Sequence, residues 1–413
     1  MTVPVITAII DFSSSPSFAP PLILGSGILG TNSLNDGTGV TVDVSSRVDS
    51  ITTNRGRNAT ADLFQTGTLS LRIVDQNGDF NPQNASSPYF GLLAPMRKVT
   101  ITASYAGTTY PIFAGYITGY QYQIPDKLTQ TVGHTVISAV DGFRVANLAS
   151  ITSVAGTSAG QLTGARINNI LDQISWPSTM RAIDSGLTTV QADPGTSRTV
   201  LEALQNLEST EYGALYMSAT GNFVFRDRHA TSSSVATTPT VFNDDGSAIN
   251  YYNAVWVLSD NLVYNSANVT RAGGTMQSAS NAASIAQYFL HSFTETGLMM
   301  QTDAEALNNA LAYVASRANT SLRCDQLVLD LYTPSYAAGI TAALTLDFLS
   351  PVTITTKQPG STAITKTEQV FGVKHEITPS SWRTTLMTLE PIIDSFILNS
   401  SSYGVLGTSV LSY

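Results

Sequence analysis

The reading of this chain turns on residues 54 to 117: Asn54-Arg-Gly-Arg57, Leu69-Ser-Leu-Arg-Ile-Val74, Asp75-Gln-Asn-Gly-Asp-Phe-Asn-Pro82, Ser87-Pro-Tyr-Phe-Gly91, Val99-Thr-Ile-Thr102 and Tyr110-Pro-Ile-Phe-Ala-Gly-Tyr-Ile117. Leu69, Leu71 and Ile73 alternate with Ser70 and Arg72, and Val99, Ile101, Ala103 and Tyr105 alternate with Thr100, Thr102 and Ser104. Successive side chains of a strand point to opposite faces, so this period of two describes half-buried strands. Asn77-Gly78 is a strong turn former between them. The stretch is read as a β-barrel-like unit.

Composition narrows the possibilities. The chain has 413 residues, enough for roughly two to four domains and a sizeable core. Charged residues make up 12%, about half the usual share, so Ser, Thr and Asn must supply the polar faces, which suits strands. Hydrophobic content of 43% argues for a folded chain. The net charge of −9 argues against a nucleic-acid binder, which needs Lys and Arg to neutralise phosphates. Cys324, the single cysteine, excludes an internal disulfide framework and a multi-thiolate metal site, and its setting reads as a small buried strand residue. The apolar run from Val3 to Ile10 has no preceding Lys or Arg, so it is not read as a signal peptide. No apolar stretch approaches the length of a membrane span.

Along the chain, residues 1–40 read as an N-terminal strand and arm, and 41–150 as the first barrel-like unit. Residues 151–320 read as a helix-containing α+β middle region. Residues 321–394 read as the strands of a second barrel, with part of 213–260 a candidate addition, and 395–413 as a C-terminal arm. The Ser-, Thr-, Ala- and Gly-rich segment 150–164 reads as a linker. Ile167, Ile170, Leu171 and Ile174 mark one amphipathic helix; Val200, Leu201, Leu204 and Leu207 mark a second. Thr302-x-x-Glu305 is a capping box opening a third helix that presents Leu307, Leu311 and Val314. Ala214-Leu-Tyr-Met217 and Asn222-Phe-Val-Phe225 flank a hairpin turn.

Two internal echoes stand out. Val99-Thr-Ile-Thr102 followed by Phe113-Ala-Gly-Tyr-Ile117 recurs as Val352-Thr-Ile-Thr355 followed by Phe371-Gly-Val373, at intervals of fourteen and nineteen residues. The reading is two related barrels whose hairpin loops differ in length, against the alternative of a common strand sequence. Gly27-Ile-Leu-Gly-Thr-Asn-Ser-Leu34 resembles Gly404-Val-Leu-Gly-Thr-Ser-Val-Leu411. This pair suggests two docking arms, with Ile28, Leu29, Leu34, Val405, Leu406 and Leu411 as the apolar contacts, against a frayed tail as the alternative.

No motif completes a catalytic or cofactor site. Gly25-Ser-Gly-Ile-Leu-Gly30 fits a dinucleotide fingerprint, but turn and strand residues follow where a helix must hold the pyrophosphate. Ser158 in Gly156-Thr-Ser-Ala-Gly160 lacks the preceding strand of a nucleophile elbow. Asp75-x-Asn77-x-Asp79 starts like a calcium loop, yet Phe80 and Ser86 stand where it needs Gly and Glu. His134, His229, His291 and His375 share no metal-ligand spacing, and His375 alternates with Phe371, Val373 and Ile377 as a core or interface residue. Asp244-Asp245 sits in a turn-like sequence. The expectation is no catalytic residue, no cofactor and no metal.

The order of blocks at Asn54–Arg57, Asn77–Pro82 and Phe113–Ile117 resembles the first tube-type barrel of phage tail-tip hub and minor tail proteins. Gly221–Arg226, Ser284-Ile-x-x-Tyr288 and the helix after Thr302 resemble their middle region, and Phe371-Gly-Val-x-His375 with Trp382 the end of their second barrel. The resemblance implies a mainly β fold, with two tube-type β-barrel domains joined by a small α/β region. It implies a homotrimeric hub that closes the tail tube, adapts sixfold to threefold symmetry and anchors fibre or other tip proteins. Implied neighbours are the distal tail protein and the tape measure protein, with DNA passing only in transit. The chain would be made in the host cytoplasm and reside in the virion tail tip. A hexameric distal tail adaptor is the nearest alternative, and a carbohydrate- or peptidoglycan-active tail-tip enzyme is a second. The short, uncharged C-terminal arm and the lack of an appended lytic domain depart from the hub pattern.

Overall fold

The computed structural model describes residues 3–12, 40–57, 63–123, 132–234, 237–333, 336–358 and 360–391. Twelve strands carry the architecture. Six lie early in the chain: β1 (Val5–Asp11), β2 (Val48–Gly56), β3 (Gln65–Val74), β4 (Lys98–Tyr105), β5 (Thr108–Gln123) and β6 (His134–Val140). Six lie late: β7 (Thr240–Asn243), β8 (Asn253–Val257), β9 (Arg323–Asp330), β10 (Pro351–Thr356), β11 (Ile364–Thr378) and β12 (Ser381–Leu389). The helices are α1 (Phe143–Leu148), α2 (Thr163–Gln173), α3 (Val200–Glu211), α4 (Arg228–Ser233), α5 (Ala282–Tyr288), α6 (Asp303–Arg317) and α7 (Ala337–Thr345).

The early strands run in the order β2-β3-β6-β5-β4-β1 and the late ones in the order β8-β9-β12-β11-β10-β7. The two orders are the same: each late strand is the early strand six places on. The sixth member differs, because β1 lies antiparallel to β4 whereas β7 lies parallel to β10. Both units belong to one 13-stranded sheet, completed by a short strand at Thr41–Asp43. The fold is mainly β, as expected. The closed barrels are not: among the described residues the strand path is open, ending at β8 on one side and at Thr41–Asp43 on the other.

The registers of the two central hairpins coincide as far as Ile101 and Ile354, beyond which β5 has a further bulge at Ile112 that β11 lacks. Lys98 faces Tyr116 and Pro351 faces Gln369, so both partners shift by 253 residues, from 98 to 351 and from 116 to 369. Val99 and Val352, Ile101 and Ile354, and Ile117 and Val370 therefore occupy matching positions, and all six are wholly buried. A bulge skips Thr118 on β5 and Phe371 on β11, again 253 residues apart. Met96 (φ 66°) and Leu349 (φ 65°) both take the left-handed conformation two residues before each hairpin. Met96 N donates to Ile117 O at 2.6 Å, as Leu349 N does to Val370 O at 2.7 Å. A bulky residue rarely accepts a positive φ, so its recurrence at matched positions is a strong sign of duplication.

This register corrects the sequence echo. Val99 and Val352 do correspond, but Phe113 pairs with Ile101 and its counterpart is Lys366 opposite Ile354. Phe371 instead matches Thr118. The two hairpins have equal length; one ends in a tight turn at Ala106-Gly107, and the other opens after Thr356.

Two helical regions accompany the units, the first between them and the second within the late one. In the first, α1, α2 and α3 bury Phe143, Ile167, Ile170, Leu171, Leu204 and Leu207. The hairpin Ala214–Met217 with Phe223–Arg226 packs here, and Trp176 meets Phe223 edge-on at 4.7 Å. Residues 150–164 are no loose linker: Ser150–Ile151 pairs with Arg198–Thr199, Gln161–Leu162 pairs with Thr189–Val190, and Ile151 and Val154 are buried. The second region, 263–318, is inserted between β8 and β9. It pairs strands Ser266–Arg271, Gln277–Ser280 and Ser292–Leu298 and has its own core under α6. Phe293 stacks on Tyr313 at 3.8 Å. Thr302 Oγ1 accepts from Glu305 N at 3.2 Å and Glu305 Oε2 from Thr302 N at 2.9 Å, completing the capping box. The buried face of α6 is Ala306, Ala310, Tyr313 and Val314, whereas Leu311 is 51% exposed. Small alanines let the helix sit close to its strands, so the larger leucine points away.

Two stability changes follow from these local geometries. Ala106 holds φ 49° in the tight turn before Gly107 (φ 83°), a conformation that asparagine adopts more readily. Ala106→Asn is expected to raise unfolding free energy by about 0.5–1 kcal/mol in urea titrations. Thr302→Ala removes the cap of α6 and is expected to cost about 1 kcal/mol in the same assay.

Candidate functional site

The feature that binds the two units is the antiparallel ladder between β2 and β11, from Gly56 opposite Gly372 to Ile51 opposite Ile377. β11 is long enough to pair with β10 through residues 364–369 and with β2 through residues 372–377, so β2 takes over the edge where β10 ends. The change of partner falls at the Phe371 bulge, where Arg57 N donates to Phe371 O at 2.8 Å. Both glycines are required by closeness. A Cβ on Gly56 (φ +99°) would lie 2.2 Å from Phe371 O, and one on Gly372 would lie 2.8 Å from Arg57 O.

Side chains lock this ladder. Arg55 is 5% exposed; it pairs with Asp347 at 3.0 Å and lies over the Phe348 ring at 5.0 Å. Arg57 lies over Phe371 at 4.4 Å and Phe64 at 5.5 Å. Each guanidinium is thus held by the other unit, or by the aromatic cluster of Phe64, Tyr216, Phe348 and Phe371 between them. A planar cation on an aromatic face keeps favourable electrostatics where water is excluded. The buried carboxyls nearby brace backbone: Asp141 accepts from Gly67 N at 2.6 Å and Phe143 N at 3.0 Å, and Glu208 accepts from Leu215 N at 2.8 Å. Burial pushes them up, Asp141 to about 7 and Glu208 to about 8. Glu208 also borders a cleft of about 100 Å³ lined by Arg57, Phe64, Tyr212, Arg228 and Tyr313.

The residues singled out from sequence fall in several places. Ile28, Leu29, Leu34, Val405, Leu406 and Leu411, with the glycine run 25–30, lie outside the described residues. Ser158 is on an exposed turn, where its carbonyl accepts from Arg166 Nη2. Asp75 is wholly buried and accepts from Asp79 N, Phe80 N and Thr135 Oγ1, which makes its loop a brace. Asp244 accepts from Lys357 N at 2.9 Å. Cys324 is buried in β9, and burial pushes its thiol up to about 12. Among the described residues no group of three His, Cys, Asp or Glu is placed to hold a metal ion, and no helix is long and apolar enough to cross a membrane. Sequence reading missed the roles of Arg55, Arg57 and Gly372. The visible signal was Asn54-Arg-Gly-Arg57, two arginines around a glycine at the end of an alternating strand.

His375 sits in this ladder opposite Thr53; its Nδ1 accepts from Trp382 Nε1 and lies 2.9 Å from Thr384 Oγ1. Burial, reinforced by Arg55, lowers its pKa to about 3. The unfolded chain takes up this proton near 6.5, so the site's contribution is complete above that pH and falls as pH drops toward 3. Asp141, Glu208 and Glu368, all raised by burial, act oppositely: their contribution is complete below about 4 and falls as pH rises through 7 to 8. His375→Gln isolates the histidine. Between pH 6.5 and 5 the natural chain is expected to lose about 1.6 kcal/mol relative to the variant, the slope rising from half of 1.36 kcal/mol per unit at 6.5 to nearly all of it at 5. Parallel stability–pH curves in urea titrations would refute this.

No protein-family model matches the chain, and no curated protein matches it by sequence. Solved structures do match. The 43 kDa tail protein of prophage MuSo2 from Shewanella oneidensis aligns with a TM-score of 0.56 at 12% identity, covering 86% of this chain and 97% of its own. The tail protein from Neisseria meningitidis MC58 aligns with a TM-score of 0.56 at 10% identity, covering 94% of this chain and 97% of its own. At such identities the likeness is one of fold: the chain has the architecture of these tail proteins along nearly its whole length.

Proposed function

We propose that this chain is a structural subunit of a phage tail tip, a homotrimeric hub in which each copy supplies two equivalent segments of a six-segment ring. The observation that carries this reading is the duplication: two six-stranded units share strand order, register, bulge and left-handed residue, and join edge to edge through β2 and β11. A subunit built this way presents twofold-repeated geometry, so three copies match a sixfold tube while leaving a threefold outer face for a central fibre. The fold of the tail proteins above supports the setting.

In this reading the work is done by geometry. Continuous strands give stiffness, the apolar residues Ile28, Leu29, Leu34, Val405, Leu406 and Leu411 of the two arms dock neighbours, and no catalytic role is assigned. The partners are the distal tail protein above, the tape measure protein within, and fibre or other tip proteins below, with DNA only passing through. The net charge of −9 suits a channel that must not retain DNA.

The test is the copy number per virion, by quantitative mass spectrometry normalised to a tail-tube subunit. Three copies per six-subunit tube ring are expected. Six would favour the hexameric distal tail adaptor, and absence from purified virions would overturn both.

A further inference from the structure

The internal junction has a counterpart within the first unit. β5 is to that unit what β11 is to the second, and β4 ends opposite Tyr116 as β10 ends opposite Gln369. On β11 the edge beyond this point is filled by β2. On β5 the matching edge, Gly119–Gln123, pairs only with β6, and no strand among the described residues occupies its other side. At the far end of the sheet, β8 pairs only with β9. By strand order β8 is the second unit's equivalent of β2. The chain therefore carries both halves of a second junction on one sheet, one at its β8 end and one on the part of β5 that runs beyond β4.

Gly119 supplies an independent sign. It matches Gly372 in register, since each stands directly after its bulge. Gly372 must be glycine because the incoming β2 brings Arg57 O to 2.8 Å from where a Cβ would be. At Gly119 nothing among the described residues lies within 4 Å of that point. Glycine weakens a strand interior unless a backbone approaches closely, so the residue leaves room for an incoming backbone that no described residue supplies. Around the other edge, Leu258 is 65% exposed and Tyr252 58% exposed, flanking β8 with apolar surface.

We infer that β8 of one copy adds antiparallel to the β5 edge of a second copy, repeating between copies the β2–β11 ladder found within one. This rests on the ring reading above and gives it a contact. Carried through β6 and β12 and then β3 and β9, the register matches Thr68 to Cys324 and so Asn54 to Trp256; Lys374 opposite Asn54 then becomes Gln121 opposite Trp256, and Leu258 meets Gly119. The contact is heterologous, head to tail, so it propagates until a ring closes. Backbone hydrogen bonds supply the affinity, as in other strand additions, and the glycine sets how near the two backbones come.

Two variants of the full chain test it. Gly119→Val places a branched side chain where a copy's own structure leaves room, so circular dichroism and melting temperature of the unassembled chain should be unchanged while assembly, read by light scattering, is lost. Gln121→Cys with Trp256→Cys, in a Cys324→Ala background because Cys324 stands directly opposite Trp256, should cross-link between chains on oxidation and yield a closed covalent oligomer. If the natural chain forms trimers, Gly119→Val forms them equally and the cysteine pair stays uncoupled between chains, the contact is wrong while the ring stands. If the natural chain forms no oligomer, alone or in virions, both fail together. A cysteine coupling confined to one chain would also overturn the proposal, by placing the chain's own segment on that edge.

Discussion

The structure depends on one ladder of backbone hydrogen bonds, between β2 and β11. Without it the chain would be two separate sheets, each with an open edge, linked only through helices. The ladder forms because two glycines let the backbones approach and because two arginines are gripped across the join by Asp347, Phe348 and Phe371. Glycine gives up conformational entropy on folding and a buried guanidinium gives up hydration. Both losses are offset by the ladder and by the aromatic faces that replace water.

The two units have kept their shared frame while diverging in what hangs from it. The connection between β2 and β3 spans only residues 57–64, whereas the one between β8 and β9 carries the strands and helix of 263–318. The pairing of β8 with β9 survives that insertion because its ends meet: Tyr264 N donates to Arg317 O at 2.9 Å. A block closed on itself adds a core of its own, with Phe293 on Tyr313, without straining the strands it interrupts. The outer surface can vary while the sheet stays constant.

Much of this was legible in residues. Alternation at Leu69–Ile73 and Val99–Tyr105 marks β3 and β4, the spacing of Ile167, Ile170 and Leu171 marks α2, and Thr302 with Glu305 marks the start of α6. The repeated Val-Thr-Ile-Thr correctly matched β4 to β10. The second half of that echo misled, because Phe371 resembles Phe113 in type but corresponds to Thr118 in place. Similarity of letters cannot locate a bulge, which shifts every later residue by one. The junction was out of reach for a related reason: pairing across hundreds of residues leaves no local pattern, only a glycine flanked by arginines. The open sheet in place of closed barrels belongs to the same class, since alternation says which face is buried and not whether the last strand meets the first.

The β2–β11 ladder also sets a timetable. Gly56 and Gly372 are 316 residues apart, from 56 to 372, so β2 leaves the ribosome long before its partner exists. At roughly 5–20 residues per second the gap lasts about 15–60 s. During that interval the first unit can close its own contacts but must display a bare strand edge, the kind of surface that recruits wrong partners and seeds aggregates. Arg55 and Arg57 then do a second duty. Before Asp347, Phe348 and Phe371 arrive to hold them, they are two like charges at the end of a strand with one bare edge, and like charge opposes pairing with a nascent chain that presents the same edge. The residues that seal the finished protein guard the unfinished one.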